Sequence, residues 1–393
     1  MSNTVRTGPV RRRAALATAS VLAVLSLAAT ACGPENDDPS TDADAGATAA
    51  PTVAASASAS GKPGLGLPTS LADLANWSLD DWAKFANDNI LKNDVVKGFW
   101  DMTKMEAAAG RDTPEFSTQS ATAQNETDPQ LPSPIPAKPQ AHPYNAATAV
   151  LGKLFLEDGK GGGGYCSATV VSDPANPGRS NLVYTASHCL HEGKGGKFFQ
   201  KMTFVPSFNK SGAYSNGKKA SEAEMAPYGW WAADEAYVSP QWAAEGGHDG
   251  GPVSQYDFGM IHVHNMNGDG KSLEETVGSS VPVWFNAPRE QVNSAFAYGY
   301  PSAAPFDGRE LEHCDSTVKP AKLSFEATRP TMYVIGCTMT PGSSGGGWFV
   351  TKDGKPALIS VNSIGPKPAA WMAGPSLQAQ AKNMFDYVSK KKR

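Results

Sequence analysis

The sequence has few charged residues and little net charge. Asp, Glu, Lys and Arg make up 18% of its 393 residues, and the formal net charge is −4. Proteins that bind nucleic acid carry clustered positive charge, so we expect no nucleic-acid partner. The 39 glycines and 30 prolines favour an all-β, loop-rich body over a helical bundle.

The N-terminal apolar run is too short for a comfortable membrane span. It covers residues 14–29, and four arginines precede it. Small residues, ending at Ala31, follow it directly. This arrangement is typical of a secretory signal peptide, which we predict over residues 1–31.

Cysteine is scarce, and its count is odd. The five are Cys32, Cys166, Cys189, Cys314 and Cys337. An exported chain with an odd number of cysteines needs a use for the odd one. Cys32 follows the cleavage site and resembles the cysteine of a bacterial lipobox, although Ala29 stands where leucine is usual. We expect lipidation of Cys32 and an extracytoplasmic protein anchored to the cell membrane. The alternative is ordinary secretion, with cleavage after Ala31 and a spare thiol.

The two segments after the signal peptide differ in composition. Residues 32–64 are rich in small and polar residues and lack aromatics, so we predict a disordered tether. Residues 65–110 contain aromatic residues at helical spacing, and Ser78 and Asp81 are placed as in a capping box. We predict a short helical accessory segment here. It is either a hairpin packed on the main body or a pro-segment or partner-binding element.

The remaining chain divides into a linker and a β-rich body. Residues 111–143 contain seven prolines, which predicts an extended linker. Residues 144–393 contain many short strand-like runs separated by turn residues, a pattern typical of β-barrels or sandwiches. Apolar residues at helical spacing predict one helix near the C-terminus.

Three widely separated motifs point to nucleophilic catalysis. Ser344 lies in Gly-Ser-Ser-Gly-Gly, a run whose backbone N–H groups can face a developing oxyanion. His188 lies in Thr-Ala-Ser-His-Cys, and an imidazole can take the proton of a serine hydroxyl. Asp257 interrupts an apolar strand-like run, where a buried carboxylate is costly unless it is paired. These residues predict a triad of His188, Asp257 and Ser344.

Other residues compete for these roles. Asp249 is an alternative carboxylate, although turn chemistry explains an aspartate in its glycine-rich loop. Ser343 is an alternative nucleophile. His262 and His264 would share one face of a strand and could bind a metal ion. Because no third ligand is apparent, we expect no metal and no cofactor.

The motifs and the chain order His188, Asp257, Ser344 resemble the chymotrypsin-like serine proteases. Thr-Ala-Ser-His-Cys and Gly-Ser-Ser-Gly-Gly each differ at one position from the usual motifs, Thr-Ala-Ala-His-Cys and Gly-Asp-Ser-Gly-Gly. Gly299-Tyr300-Pro301 and Cys337-Thr338 are most similar to the bacterial glutamyl-endopeptidase-like branch. The resemblance implies a protease domain over residues 144–393, built as two six-stranded antiparallel β-barrels with a C-terminal helix. It also implies protein or peptide substrates, and we expect a monomer.

The resemblance also assigns further site residues. The family register selects Ser344 over Ser343 as the nucleophile and forms the oxyanion hole from the N–H groups of Gly342 and Ser344. Substrate binding falls to Thr338, Ser363, Ile364 and Gly365, and we expect Ser363 to bond Asp257. Trypsin-like enzymes carry Asp at the position of Thr338, and glutamate-specific relatives carry His at that of Asn362. We therefore expect a small or uncharged side chain at the cleavage position.

We expect two disulfides, of which the resemblance implies the first. The family bridges positions similar to Cys166 and Cys189, so we expect that pair. We also expect a bond between Cys314 and Cys337, the two cysteines left in this region, which lie close in sequence. Each would close a loop of about two dozen residues.

Two departures from the family pattern have consequences. The aspartate usually found at the position of Ser343 pairs with a new N-terminal ammonium after activation cleavage, and serine cannot make that ion pair. We therefore expect the oxyanion loop to form without proteolytic activation. The second departure is Ser187 in place of alanine. Together, Ser187, Ser343 and the unusual specificity pocket leave room for a catalytically inactive binding protein of the cell envelope with the same fold.

Overall fold

The computed structural model describes residues 77–89, 99–112, 114, 127–158, 162–266 and 268–393. The predicted signal peptide, the predicted tether and Cys32 lie outside these residues. All described residues belong to the second of two units, residues 61–393. No helix among them is long and apolar enough to cross a bilayer.

Short strands make up most of the regular structure. The strands are β1 (Ala109–Gly110), β2 (Lys138–Pro139), β3 (Leu151–Glu157), β4 (Gly163–Val171), β5 (Leu182–Thr185), β6 (Gln200–Pro206), β7 (Trp231–Val238), β8 (Gly259–Asn265), β9 (Ala295–Gly299), β10 (Glu312–Ser316), β11 (Ala321–Leu323), β12 (Met332–Gly336), β13 (Gly347–Lys352), β14 (Lys355–Val361) and β15 (Trp371–Gly374). The α-helices are α1 (Leu79–Asn89), α2 (Met102–Ala107), α3 (Glu222–Met225), α4 (Pro240–Glu245), α5 (Leu273–Val277) and α6 (Ala379–Lys390). The described part is mostly β with a C-terminal helix, as predicted.

Six strands close into a barrel in the first half of the β-rich body. Their order is β4-β3-β6-β7-β8-β5, and β5 pairs back onto β4 through antiparallel ladders. Leu154, Val170, Phe204 and Ile261 are fully buried in its core. Closure satisfies the strand edges that an open sheet would expose. β1 adds to β4 as a parallel strand on the outside of this ring.

The strands of the second half form two sheets. The larger has the order β14-β13-β9-β10-β2, and the smaller has the order β11-β12-β15. A single bridge between Ile364 and Ala373 joins the segment after β14 to β15. The Cys314–Cys337 disulfide joins β10 to the residue after β12. The second half therefore differs in detail from the predicted closed six-stranded barrel. Its strands form two sheets instead of one continuous ring, and the disulfide links these two sheets.

The structure contains both expected disulfides, Cys166–Cys189 and Cys314–Cys337. The partners in each are 23 positions apart in the sequence. A loop of that size contributes roughly 3 kcal/mol to stability in the chain-entropy description.

The helical accessory segment packs on the β-rich body. Ser78 Oγ accepts the N–H of Asp81, and the Asp81 carboxylate accepts the N–H of Ser78, which completes the predicted capping box of α1. Trp82 and Phe85 of α1 are buried in the same cluster as the barrel core. Because α1 also contacts α6, the segment is docked rather than separate.

Part of the predicted proline-rich linker is bound to the second half. Thr127 Oγ1 donates to the Ser324 carbonyl at 3.0 Å, and the Ile135 carbonyl accepts the N–H of Thr338 at 3.1 Å. β2 pairs with β10. Residues 127–139 therefore form an extended strap along the body.

Glu312 of β10 gives a pH-dependent prediction for stability. Burial, helped by the nearby Glu310 and Asp307, raises the pKa of Glu312 to about 7 from an ordinary value of 4.5. A raised pKa in the folded state means that its contribution is fully favourable below pH 4.5 and is lost as the pH rises through 7. We expect Glu312→Gln to raise the unfolding free energy by roughly 1–2 kcal/mol at pH 8, allowing for solvent screening.

The same variant should change stability little at pH 4, where Glu312 is already neutral. Chemical denaturation at both pH values measures the difference. An equal effect at the two pH values would show that packing, not charge, is what the substitution alters.

Candidate active site

A histidine and an aspartate form the centre of the site. His188 lies in a 3₁₀ turn, Ser187–Cys189, after β5. Asp257 follows a second such turn, Pro252–Tyr256, and precedes β8, the strand that pairs with β5. Nδ1 of His188 lies 2.6 Å from Oδ2 of Asp257. Pairing of the two strands thus brings together residues that lie 69 positions apart.

The buried carboxylate of Asp257 is fully engaged. Its Oδ1 accepts the backbone N–H of His188 at 2.9 Å, and its Oδ2 accepts the Ser363 hydroxyl at 2.7 Å in addition to the ring. These bonds offset the cost of burying the charge. A carboxylate on Nδ1 favours the imidazole tautomer whose Nε2 can accept a proton. The alternative, Asp249, has a side chain that is 91% exposed and pairs with His248.

Ser187 has a structural contact that explains its departure from the family motif. Its hydroxyl is buried, donates to the Phe258 carbonyl at 2.5 Å, and accepts the N–H of Ser239 at 3.1 Å. This side chain therefore ties the turn carrying His188 to the residues beside Asp257.

Ser344 lies in the serine turn, a glycine-rich turn over residues 342–346 that precedes β13. Gly342 and Gly345 have φ angles of 98° and 76°, which side chains rarely allow. A Cβ at Gly345 would lie 2.0 Å from Oγ1 of Thr185. The turn is thus packed directly against the end of β5, and glycine is required for both the angle and the close approach.

Ser167 connects the serine turn to the histidine. Its N–H donates to the carbonyl of Ser344 at 2.8 Å. It follows Cys166, whose disulfide partner Cys189 is adjacent to His188. Ser344 and His188 are therefore both attached to the middle of β4, the former through Ser167 and the latter through the disulfide of Cys166. Ser344 and His188 are 0% and 4% exposed, so both candidate catalytic residues are buried.

A buried asparagine holds the serine turn in place. Nδ2 of Asn362 donates to the carbonyls of Ser343 at 2.8 Å and Tyr298 at 2.9 Å. Its Oδ1 accepts the indole N–H of Trp348 at 2.6 Å. The Ser343 hydroxyl donates to the carbonyl of Thr340. Neutral hydrogen bonds thus support the turn, and sequence reasoning, which related Asn362 to cleavage preference, missed this role.

Some of the residues expected to bind substrate already form hydrogen bonds within the protein. The N–H and carbonyl of Ile364 both bond Ala373, at 3.1 and 2.8 Å. The Thr338 hydroxyl accepts the N–H of Ala137 from the strap at 2.9 Å. The substrate-binding roles of Thr338, Ser363, Ile364 and Gly365 stay predictions.

The histidine pair on β8 has an acidic neighbour that the sequence did not reveal. Asp234 lies 2.7 Å from Nδ1 of His262 and 3.5 Å from Nδ1 of His264. Both imidazole rings are therefore partners of the Asp234 carboxylate, which explains their placement without a metal ion. Within the described residues, the one compact group of three possible metal ligands is Cys166, His188 and Cys189, and both of its sulfurs belong to a disulfide.

A backbone carbonyl of Arg111, the residue that follows the accessory segment, accepts a hydrogen bond from the serine turn. The N–H of Gly342, one of the two expected oxyanion donors, donates to the carbonyl of Arg111 at 3.1 Å. Arg111 and Asp112 also line a cavity of about 370 Å³ together with His188. Desolvation lowers the pKa of His191, on the same cavity, to about 4, so that ring is neutral at pH 7.

Comparisons with known proteins agree with this fold. No protein-family model and no curated protein matches the chain. Among solved structures, the thermostable serine protease AL20 from an extremophilic microorganism is 31% identical, with a TM-score of 0.50, over 63% of this chain and all of its own. Protease Anisep from Arthrobacter nicotinovorans is 28% identical, with a TM-score of 0.50, over 65% of this chain and all of its own.

A Glu endopeptidase in complex with MPD also matches, over 67% of this chain and all of its own. Its identity is 16% and its TM-score 0.45, which is too distant to bear on cleavage preference. Similarity to the glutamyl-endopeptidase-like branch therefore stays a prediction.

Proposed function

This chain belongs to the chymotrypsin-like serine proteases, and from that membership we propose that it is a serine endopeptidase acting through an acyl-enzyme at Ser344. The observation that carries the proposal is the 2.6 Å contact between His188 Nδ1 and the buried Asp257 carboxylate. A general base in the correct tautomer is what a serine hydroxyl requires to become a nucleophile.

In the proposed reaction, the Oγ of Ser344 attacks the carbonyl carbon of the substrate while its proton passes to Nε2 of His188. The N–H groups of Gly342 and Ser344 bind the oxyanion. The C–N bond then breaks, and His188 gives the proton to the leaving amine. Water, activated by the same imidazole, attacks the acyl-enzyme and releases the new carboxylic acid.

The substrates we propose are proteins or peptides with a small or uncharged side chain at the cleavage position. Thr338 lacks the negative charge that would attract arginine or lysine. The N–H groups of Ser363 and Ile364 both donate to the carbonyl of Ala373, and the carbonyl of Ile364 accepts the N–H of Ala373. We therefore propose that pairing with substrate backbone falls to the Ser363 carbonyl and to Gly365. We further propose a monomer that acts outside the cytoplasm, anchored through lipidated Cys32; the mass of the mature N-terminal peptide tests the anchor.

The rival is a binding protein with the same fold and no catalysis. Two departures that favoured it have structural explanations. The Ser187 hydroxyl is used by Phe258 and Ser239, and the Ser343 hydroxyl is used by Thr340. A non-catalytic protein has no need for the buried, fully bonded Asp257 behind an imidazole.

A fluorophosphonate probe separates an enzyme from a binding protein. Its phosphorus forms a bond to an activated serine oxygen and releases fluoride. We expect one equivalent of label on Ser344 of the full-length protein, located by peptide mass spectrometry. Ser344→Ala should abolish labelling, whereas Ser343→Ala should retain it. Absence of label from the folded protein would favour the binding protein, and label on Ser343 would overturn the assigned nucleophile.

A further inference from the structure

Residues 109–111, where the accessory segment meets the linker, lie in the groove beside the serine turn. Arg111 donates its N–H to the carbonyl of Tyr165 at 2.9 Å and accepts the N–H of Gly342 at 3.1 Å. Gly110 donates its N–H to Oγ of Ser302 at 3.2 Å. The segment is thus bound mainly through its backbone, as an extended peptide is bound at a strand edge.

Gly110 fits this place because it has no side chain. A Cβ there would lie 2.1 Å from Oγ of Ser302 and 2.7 Å from the Cα of Gly342. The Cα of Gly342 belongs to the backbone of the serine turn and cannot move aside without distorting that turn. Any other residue at position 110 would therefore push the segment and the turn apart.

The next side chain completes the contact. The guanidinium carbon of Arg111 lies 4.1 Å from the ring centroid of Phe199, at a distance typical of a cation–π interaction. Asp158 and Glu192 line the same cavity and favour a positive charge there. The groove thus matches both the backbone and the side chain of this segment.

The segment is also anchored on its N-terminal side. Trp100 precedes α2, and its indole N–H donates to the carbonyl of Lys201 at 2.7 Å. Its ring lies 5.5 Å from that of Phe155 in the barrel, and Met105 of α2 is buried. With α2 fixed on the barrel, residues 109–111 are held at high effective concentration next to the groove.

We propose that residues 109–111 are an intramolecular peptide ligand of the active-site groove that keeps the protease latent by occupying the Gly342 oxyanion donor. The inference rests on the proposed function, in which the N–H of Gly342 binds the oxyanion of the substrate. An N–H bonded to the Arg111 carbonyl cannot at the same time bind the oxyanion of a substrate. A substrate must therefore displace residues 109–111 before its oxyanion can bind the N–H of Gly342 in the serine turn.

The test is the substitution Gly110→Val in the full-length chain, with Ala107→Val as the matched control. Ala107 is the exposed last residue of α2 and lies outside the proposed ligand. We expect Gly110→Val to label with the fluorophosphonate at least about tenfold faster than the wild type, since releasing the segment raises the competent fraction. Ala107→Val should label at the wild-type rate, and kcat/KM on peptides should follow the same order.

Hydrogen exchange on the wild type gives a second readout that needs no variant. The Arg111 amide is bonded to Tyr165, so it should exchange slowly in the untreated protein. After Ser344 is labelled, the phosphonate oxygen should displace the Arg111 carbonyl, and this amide should exchange faster.

Each remaining outcome overturns the proposal. Equal labelling rates in the wild type and in folded Gly110→Val, or an Arg111 amide unaffected by the label, would show that the segment does not occlude the donor. Cleavage of the chain after Arg111, detected by mass spectrometry, would show a substrate rather than an inhibitor. These results leave the proposed function intact, whereas absence of label from every variant would reject both.

Discussion

Asp257→Asn is expected to lower kcat by about 10⁴-fold with the fold intact. An asparagine can still accept the backbone N–H of His188 through its oxygen, so the packing is preserved. Its amide would donate to Nδ1, which moves the ring proton to Nε2. The imidazole would then present a donor to Ser344 where the reaction requires an acceptor. Steady-state kinetics on a cleavable member of a mixed peptide library measures the loss.

Asp249→Asn provides the matched control because it makes the same chemical change on an exposed loop. It should leave kcat and KM at wild-type values. The KM of Asp257→Asn should also change little, since the carboxylate does not contact the substrate in the proposed reaction. Similar kcat values for the two variants would contradict the assignment of Asp257.

Asn362→Ala should lower kcat by about 10²–10³-fold, because Asn362 holds the serine turn that carries the oxyanion donors. The substitution removes both donors that hold the carbonyls of Ser343 and Tyr298, and it leaves the indole N–H of Trp348 without its acceptor. Because a displaced turn misplaces the N–H groups that act in the transition state, kcat should fall more than KM rises. The same unsatisfied groups should cost about 2–4 kcal/mol of stability.

Ser360→Ala separates the positional effect from simple destabilisation. Ser360 is buried in β14, which ends one residue before Asn362, and its hydroxyl donates to the Pro375 carbonyl rather than to the serine turn. It should lose stability with little change in kcat. If Ser360→Ala lowers kcat as much as Asn362→Ala at equal folded fraction, Asn362 has only a structural role.

These two predictions concern different halves of one site. Asp257 controls the proton on His188 from the first barrel, and Asn362 controls the serine turn from β14 onward. The resemblance implied an aspartate in this turn that pairs with an ammonium after cleavage, whereas in this chain the neutral amide of Asn362 donates to the Ser343 carbonyl. Control by cleavage at that point is therefore replaced, in our proposal, by occupation of the groove.

The triad candidates were accessible from sequence because each depends on local chemistry. A serine between glycines, a histidine in a specific motif and an acid in an apolar run are visible without any contact. The accessory helix was also predictable, since Ser78 and Asp81 form its capping box within one turn. The first closed barrel followed from the resemblance and from the spacing of short strands.

Roles that depend on distant partners were not visible. Asn362 was related to specificity because its hydrogen bonds reach Ser343, Tyr298 and Trp348, none of which the sequence connects to it. Asp234 was not recognised as a partner of His262 and His264 because it lies on the neighbouring strand. The second half was expected to close fully, and only the three-dimensional arrangement shows where a disulfide and one bridge replace ladders.

The sequence by itself determined which alcohol, which imidazole and which carboxylate are candidates to act together, and where the accessory helix, the strand-rich body and the C-terminal helix lie. Those properties are set by residue type and by neighbours within a few positions. Only the tertiary structure decided which groups support the serine turn and what occupies the Gly342 donor. Backbone carbonyls such as that of Arg111 are identical in every residue, so their partners are fixed by the path of the folded chain rather than by the sequence letters.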